Sequence, residues 1–248
     1  MTMTKNKYIK IQDKVHMIGW NFEQLSGDIG EESLPWDYIS IVKENLNKED
    51  MFLDMETGGG EILKEIFLDP NKTYVTEGYE PNYLLCLEKL LPLGIKVFNI
   101  NGEDSMPFSS NTFDLVTNRH GSYNLKEIYR VLKPGGLFIT QQVGSNNNLP
   151  LREAVLSTKV KDKEHTIDKL IQESSEGGFY LLYQNHASPK MKYKTMFSVI
   201  FMASIISWEF PNFAVENNYN SLNRVEEIIK ENGYFESYEN RFIAIMQK

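Results

Sequence analysis

The chain has one cysteine, Cys86, so it can form neither an internal disulfide nor a cysteine-built zinc site. Cys86 lies in the apolar stretch 83–91 and reads as a small buried hydrophobe. Histidine is nearly as scarce. His16, His120, His165 and His186 stand apart, none in a His-x-x-x-His spacing, and no metal is expected. Positive charge is also short: 26 Lys+Arg against 34 Asp+Glu give a net charge of −8. That balance disfavours a broad grip on nucleic acid or an anionic membrane. Long apolar runs are missing. The longest, residues 196–208, is interrupted by Ser198, Ser204 and Ser207 and is too short to span a bilayer. The first twenty residues hold no apolar core of signal-peptide length. A cytoplasmic protein without a membrane partner is the expectation.

The remaining composition, 41% hydrophobic and 24% charged, is that of a globular chain able to bury one substantial core. Strand and helix signals alternate from residue 37 onward. The pattern predicts helices over 37–46, 61–68, 81–93 and 125–132, and strands over 51–55, 73–77, 95–100, 113–117 and 137–142. Lys133-Pro-Gly-Gly136 ends the fourth of these helices, because Pro134 cannot continue it and the glycines turn the chain. Such alternation means a doubly wound α/β fold with a mainly parallel sheet. Beyond Gly144 the rhythm loosens. Helices are expected over 151–160, 167–173, 196–206 and 221–231, and strands over 178–183 and 241–246.

Within this frame, residues 52–61, FLDMETGGGE, read as a buried strand, a glycine turn (Gly58 to Gly60) and a helix start. This is the usual nucleotide cradle of doubly wound folds. Glu77, at the end of the second strand, is placed to accept hydrogen bonds from both ribose hydroxyls of an adenosine cofactor, with Glu80 a nearby competitor. A dinucleotide fingerprint begun at Gly58 would need glycine at position 63, which is Leu63, and this weakens an NAD reading.

Three stretches then carry a resemblance: LDMETGGGE (53–61), PFSSNTFDLV (107–116) and RVLKPGGLFIT (130–140). With them the chain resembles the class I, Rossmann-like S-adenosylmethionine-dependent methyltransferases. It also resembles a bacterial subset with Asn118-Arg-His120 after the fourth strand and Ile139-Thr-Gln-Gln-Val-Gly144 as the fifth. The resemblance implies a seven-stranded sheet with an antiparallel last strand, and S-adenosylmethionine as cofactor. It divides a single domain, 1–248, into an N-terminal appendage (1–35), a cofactor-binding core (36–144) and a C-terminal half (145–248) with a cap at about 185–218. Asp54, Gly58 and Gly60 would border the methionine moiety, with Thr57 beside them. Glu77 and Gly78 would hold the ribose, and Gly102, Glu103 and Asp104 would frame the adenine. Asn118 and Arg119 would begin the loop under the transferable methyl. Relatives usually have glycine where Glu56 stands and an acid where Gly121 stands. A carboxylate at 56 would repel the methionine carboxylate or fill its space.

Methyl transfer depends mainly on in-line positioning, with a general base where the acceptor must lose a proton. His120, at the carboxyl end of the fourth strand, is the candidate base; the alternative is a histidine that only bonds a loop. Arg119 is expected either to bind an anionic acceptor or to pair within the fold. Of Gln141 and Gln142, alternation lets one face the crevice. The 196–206 segment is either a lid or a core helix, and Tyr8, Trp20, Phe22 and Trp36 either cover the cofactor or simply pack. The expected activity is methylation of a small molecule. RNA or protein methylation and non-catalytic cofactor binding are the alternatives. Residues 189–194, PKMKYK, are the one basic feature favouring RNA, and alternate lysines more often mark a solvated strand edge.

Overall fold

A computed structural model describes residues 4–17, 22–66, 69–160 and 164–248. The chain divides into two compact units, one of 35–144, 164–186 and 241–248, the other of 1–34, 145–163 and 187–240.

The first unit is built on a seven-stranded sheet. In chain order, counting β1 (Ile29–Glu31) of the other unit, its strands are β2 (Phe52–Met55), β3 (Thr73–Thr76), β4 (Lys96–Phe98), β5 (Phe113–Arg119), β6 (Leu132–Val143), β7 (Tyr180–Ala187) and β10 (Arg241–Gln247). Their spatial order is β4-β3-β2-β5-β6-β10-β7. The β3–β4, β2–β3, β2–β5 and β5–β6 pairs are parallel, and β10 runs antiparallel to β6. All four residues of β2 are buried, as a central parallel strand covered on both faces requires. Its side chains alternate. Phe52 joins a cluster with Val42, Val75, Leu115, Ile139 and Ile243, whereas Leu53 and Met55 join one with Val116, Ile128, Phe138 and Ala244.

Helices α2 (Tyr38–Asn45), α3 (Glu80–Lys89), α4 (Leu125–Val131) and α6 (Ile167–Glu176) belong to this unit. Asp37 caps α2 by accepting from the N–H groups of Ile39 and Ser40, and Asn124 and Thr166 cap α4 and α6 in the same way. The helix expected over 61–68 is instead a single 3-10 turn at Ile62–Lys64, and residues 67 and 68 lie outside the described residues. The Lys-Pro-Gly-Gly turn is a bulge within β6. The β5–β6 register jumps from Phe113↔Leu132 to Leu115↔Leu137, and Gly135 takes a left-handed φ of 81°.

The second unit holds an antiparallel sheet in the order β1-β8-β9, with β8 at Lys190–Tyr193 and β9 at Phe235–Tyr238. Strands β1 and β9 are not apparent in the sequence pattern, whereas β8 falls where the alternate lysines suggested a strand edge. Lys190 and Lys192 lie on the central strand of this sheet, not at an edge, and Met191 and Tyr193 alternate inward. Helices α1 (Lys5–Gln12), α5 (Leu149–Leu156), α7 (Met196–Ile205) and α8 (Val215–Asn232) complete the unit. Helix α7 is a core helix: Met196, Val199, Ile200, Phe201 and Ala203 are buried. Tyr8 is fully buried and donates to Glu226 Oε2, and Phe22 lies edge-on to Phe201, so both pack inside this unit. Trp20 lies outside the described residues. Among the described residues no helix is long and apolar enough to cross a membrane.

Candidate active site

The carboxyl ends of β2, β3, β4, β5 and β6 bring together most of the residues singled out in the sequence. Asp54, near the end of β2, is buried and accepts from Thr57 Oγ1 at 2.6 Å and Thr117 Oγ1 at 2.7 Å. Burial raises its pKa, and the two hydroxyls and the charge of Arg119 oppose that rise. The turn that follows uses left-handed backbone at Gly58 (φ 67°) and Gly60 (φ 73°). Glu77 ties this turn to β3. Its Oε2 accepts from Gly58 N at 2.7 Å and its Oε1 from Tyr79 N at 2.8 Å. Burial raises its pKa despite these donors. Cys86 donates to the Gly58 carbonyl at 3.1 Å, and burial pushes its thiol up to about 12, so it acts as a structural residue.

The loop after β4 places Gly102 inward and leaves Glu103 and Asp104 exposed. The loop after β5 is held by Asn118, which is fully buried. Its Nδ2 donates to the Ser122 carbonyl at 3.2 Å and the Met55 carbonyl at 3.4 Å, and its Oδ1 accepts from Gln142 at 2.6 Å. Gln141, one residue earlier on β6, turns to the other face. It accepts from Trp36 Nε1 at 2.7 Å and donates to His120 Nε2 at 3.0 Å. Because an amide nitrogen can only donate, His120 carries its proton on Nδ1. His120 is solvent-accessible at the rim yet closely surrounded by protein. That surrounding, with the nearby Arg241 and Arg119 guanidiniums, holds its pKa well below the ordinary histidine value. Arg119 is exposed, lies 5.6 Å over the Tyr38 ring, and makes no ion pair among the described residues, contrary to a pairing within the fold.

Glu56 is the unusual member. It adopts φ 54°, a left-handed conformation in which glycine is unstrained. Its Oε1 is buried without a hydrogen-bond partner. Burial and the neighbouring Glu77 charge raise its pKa to about 7, and the backbone amides of Gly102 and Gly78 partly oppose the rise. Its side chain therefore points toward the loops after β3 and β4. Among the described residues no group of three His, Cys, Asp or Glu side chains is arranged to hold a metal.

Residues 53–140 match the family described as methyltransferase domain. The curated ubiquinone/menaquinone biosynthesis C-methyltransferase UbiE of Neisseria meningitidis is 29% identical over 150 residues, 52% of this chain and 58% of that protein. A solved structure described as a candidate methyltransferase from Bacillus halodurans superposes with a TM-score of 0.60 at 16% identity, covering 86% of this chain and 98% of that one. Residues 53–140 form a methyltransferase domain of the class I, S-adenosylmethionine-dependent kind. The sheet order agrees, with an antiparallel β10 beside β6. The chain spans a little over half the length of the curated relatives it matches. Fold alone does not fix the reaction of a methyltransferase-like chain. The [4+2]-cyclase SpnF superposes with a TM-score of 0.52 at 16% identity, over 85% of this chain and 79% of that one.

S-adenosylmethionine is the cofactor of this methyltransferase family. The polar groups such a cofactor needs are present: an acid closing β3, an acid near the end of β2 and a left-handed glycine turn between them. The space is another matter. Glu56 projects toward Gly78 and Gly102, the Ser122 carbonyl covers Gly102, and Asn101 covers Gly78. In this conformation the Glu56 carboxyl lies among the residues expected to hold the nucleoside half of the cofactor. The Trp36–Gln141–His120 chain is absent from the sequence reading, because Trp36 and Gln141 lie 105 positions apart and no local pattern joins them.

Proposed function

We propose that the protein is an S-adenosylmethionine-dependent methyltransferase acting on a small molecule. The observation that carries this reading is the His120 imidazole, bonded to Gln141, beside the Arg119 guanidinium at the carboxyl ends of β5 and β6, next to the Asp54–glycine–Glu77 turn. Arg119 offers a fork of donors to an oxygen anion. His120, with so low a pKa, is a weak base, matched to an acceptor whose own proton is already labile. Phenols and the ring carbons of hydroxylated aromatics are such acceptors. The C-methylation named for the Neisseria relative makes them the first class to test.

Methylation of RNA draws little support from the one basic stretch. Lys190 Nζ lies 3.3 Å from Glu236, Lys194 donates to the Gly27 carbonyl, and Lys192 lies over the Tyr234 ring. The test uses methyl-labelled S-adenosylmethionine with a panel of hydroxylated aromatics, bulk tRNA and bulk protein. Label in an aromatic is the expected result. Label confined to tRNA or protein refutes the small-molecule reading. Tight binding of S-adenosylhomocysteine with no transfer to any acceptor would leave a cofactor-binding protein.

A further inference from the structure

Glu56 and Gly121, the two irregular positions of the sequence motifs, touch each other. A Cβ built on Gly121 would collide with Glu56 Cβ, lie 2.7 Å from Glu56 Cγ and lie 3.1 Å from Asn118 Nδ2. Asn118 is held on three sides and cannot give way. Any side chain at 121 would therefore push Glu56 out of its place. Glycine at 121 is the condition for Glu56 to lie where it does. Beyond Cγ, the Glu56 carboxyl runs toward the amides of Gly78 and Gly102, with one oxygen buried and unpartnered. Those loops are where the proposed cofactor would place its ribose and adenine.

We propose that Glu56 and Gly121 are a matched pair that seats the Glu56 side chain in the nucleoside half of the cradle, so that a nucleoside enters only as Glu56 leaves. The inference rests on the S-adenosylmethionine reading above and adds a gate to it. The carboxyl would thus not lie against the cofactor's methionine end, where an acid at 56 is first expected to act.

The gate has a direction in pH. The charged and titratable groups on the surrounding elements are Glu77 after β3, Asp104 after β4, Asp54 on β2, and Arg119 and His120 at the end of β5. Burial, with the Glu77 and Asp104 carboxylates, disfavours a charge on Glu56, so the seated carboxyl holds its proton up to about pH 7. Once turned out to water it regains the ordinary value of 4.5 and loses that proton. Nucleoside binding then releases a proton, and affinity rises with pH until it levels off above about 7. Those two values make binding about 20-fold weaker at pH 5.5 than at pH 7.5.

The experiment is calorimetric titration of the full chain with S-adenosylhomocysteine at both pH values, for wild type, Glu56→Gln and Glu56→Gly. Glu77 and Asp104 are common to all three, so their own titration cancels in the comparison. Glu56→Gln keeps the bulk without the titration and is expected to bind weakly with the pH slope lost. Glu56→Gly is expected to bind at least tenfold more tightly than wild type at pH 5.5, without the slope. Equal affinities and slopes in all three overturn the gate but leave the cofactor reading standing. No binding by any of them, Glu56→Gly included, overturns the cofactor reading and the gate with it. Thermal melts supply a readout that needs no ligand. Gly121→Ala is expected to lower Tm clearly in wild type and much less in a Glu56→Gly background, where only the closer approach to Asn118 remains. Equal losses in both backgrounds refute the matched pair.

Discussion

Removing the Glu77 carboxylate tests whether the glycine turn is held by a single side chain. The two amides it receives are not equivalent. Gly58 N is buried at 2.7 Å from Oε2, whereas Tyr79 N, at 2.8 Å from Oε1, belongs to an exposed residue that water can reach. Glu77→Gln keeps one acceptor oxygen, which the fold will turn toward the buried amide. It loses only the pairing that water can replace, a cost of under about 1 kcal/mol. Glu77→Ala leaves Gly58 N unpaired in a buried place, which costs about 2 kcal/mol. For a chain of this size that loss lowers Tm by roughly 4–8 °C, and the Gln variant should fall by no more than half as much. Circular dichroism melts at pH 7.5 measure both. The turn should also loosen in the Ala variant, seen as faster hydrogen exchange at the Gly58, Gly59 and Gly60 amides. If Gln and Ala lose equal stability, or if Ala exchanges no faster than wild type, Glu77 is not the strut described here.

Three further outcomes follow from the same geometry. His120 should stay neutral on lowering the pH well past 6.5, and Arg119→Gln, by removing a nearby cation, should raise its titration midpoint; a two-dimensional NMR titration reads both, and an unchanged midpoint counts against the assigned surroundings. Trp36→Phe removes the donor that fixes the Gln141 amide, so it should cost about 1 kcal/mol in chemical denaturation and shift the His120 resonances, whereas silent resonances would break the chain of contacts. The seated Glu56 has a folded pKa of about 7 against 4.5, so its stabilising contribution is complete below 4.5 and lost as pH rises through 7. The loss is at most about 3 kcal/mol and is limited by how readily the side chain turns out. Glu56→Gly should lack that decline and gain about 1 kcal/mol from relief of the left-handed backbone, as read from denaturation at pH 5 and pH 8.

The elements that the sequence made legible are those whose cause is local. Strand β2 is a run of buried residues followed by glycines, and α2 and α4 each begin at a side chain that caps its own first turn. The elements it concealed depend on distant partners. Strands β1 and β9 are not apparent in the pattern, and β8, legible as a strand edge from its alternate lysines, is in fact central, with β1 on one side and β9 on the other. The segment after Gly60 has helical spacing, yet it forms only a 3-10 turn at Ile62–Lys64, for which the structure shows no local cause. In the candidate site, Asp54, Glu77, Asn118 and His120 stand where strand ends were expected, because strand–helix alternation sets which end of the sheet they occupy. What alternation could not convey was contact. Glu56 and Gly121 look like two separate irregularities along the chain and are one collision avoided in space.

Strand β10 carries a consequence for how the sheet assembles. It lies between β6 and β7 and pairs residues 241–247 with residues 137–143. Its residues 242–246 are all buried, and β6 and β7 have no direct ladder with each other. Until β10 arrives, a refolding chain therefore keeps two strand edges open in the middle of its sheet. Long-range pairing of this kind closes slowly, and open edges recruit other chains. The yield of native protein on refolding should accordingly depend on protein concentration, falling as the chains are crowded, even though the finished sheet hides those edges.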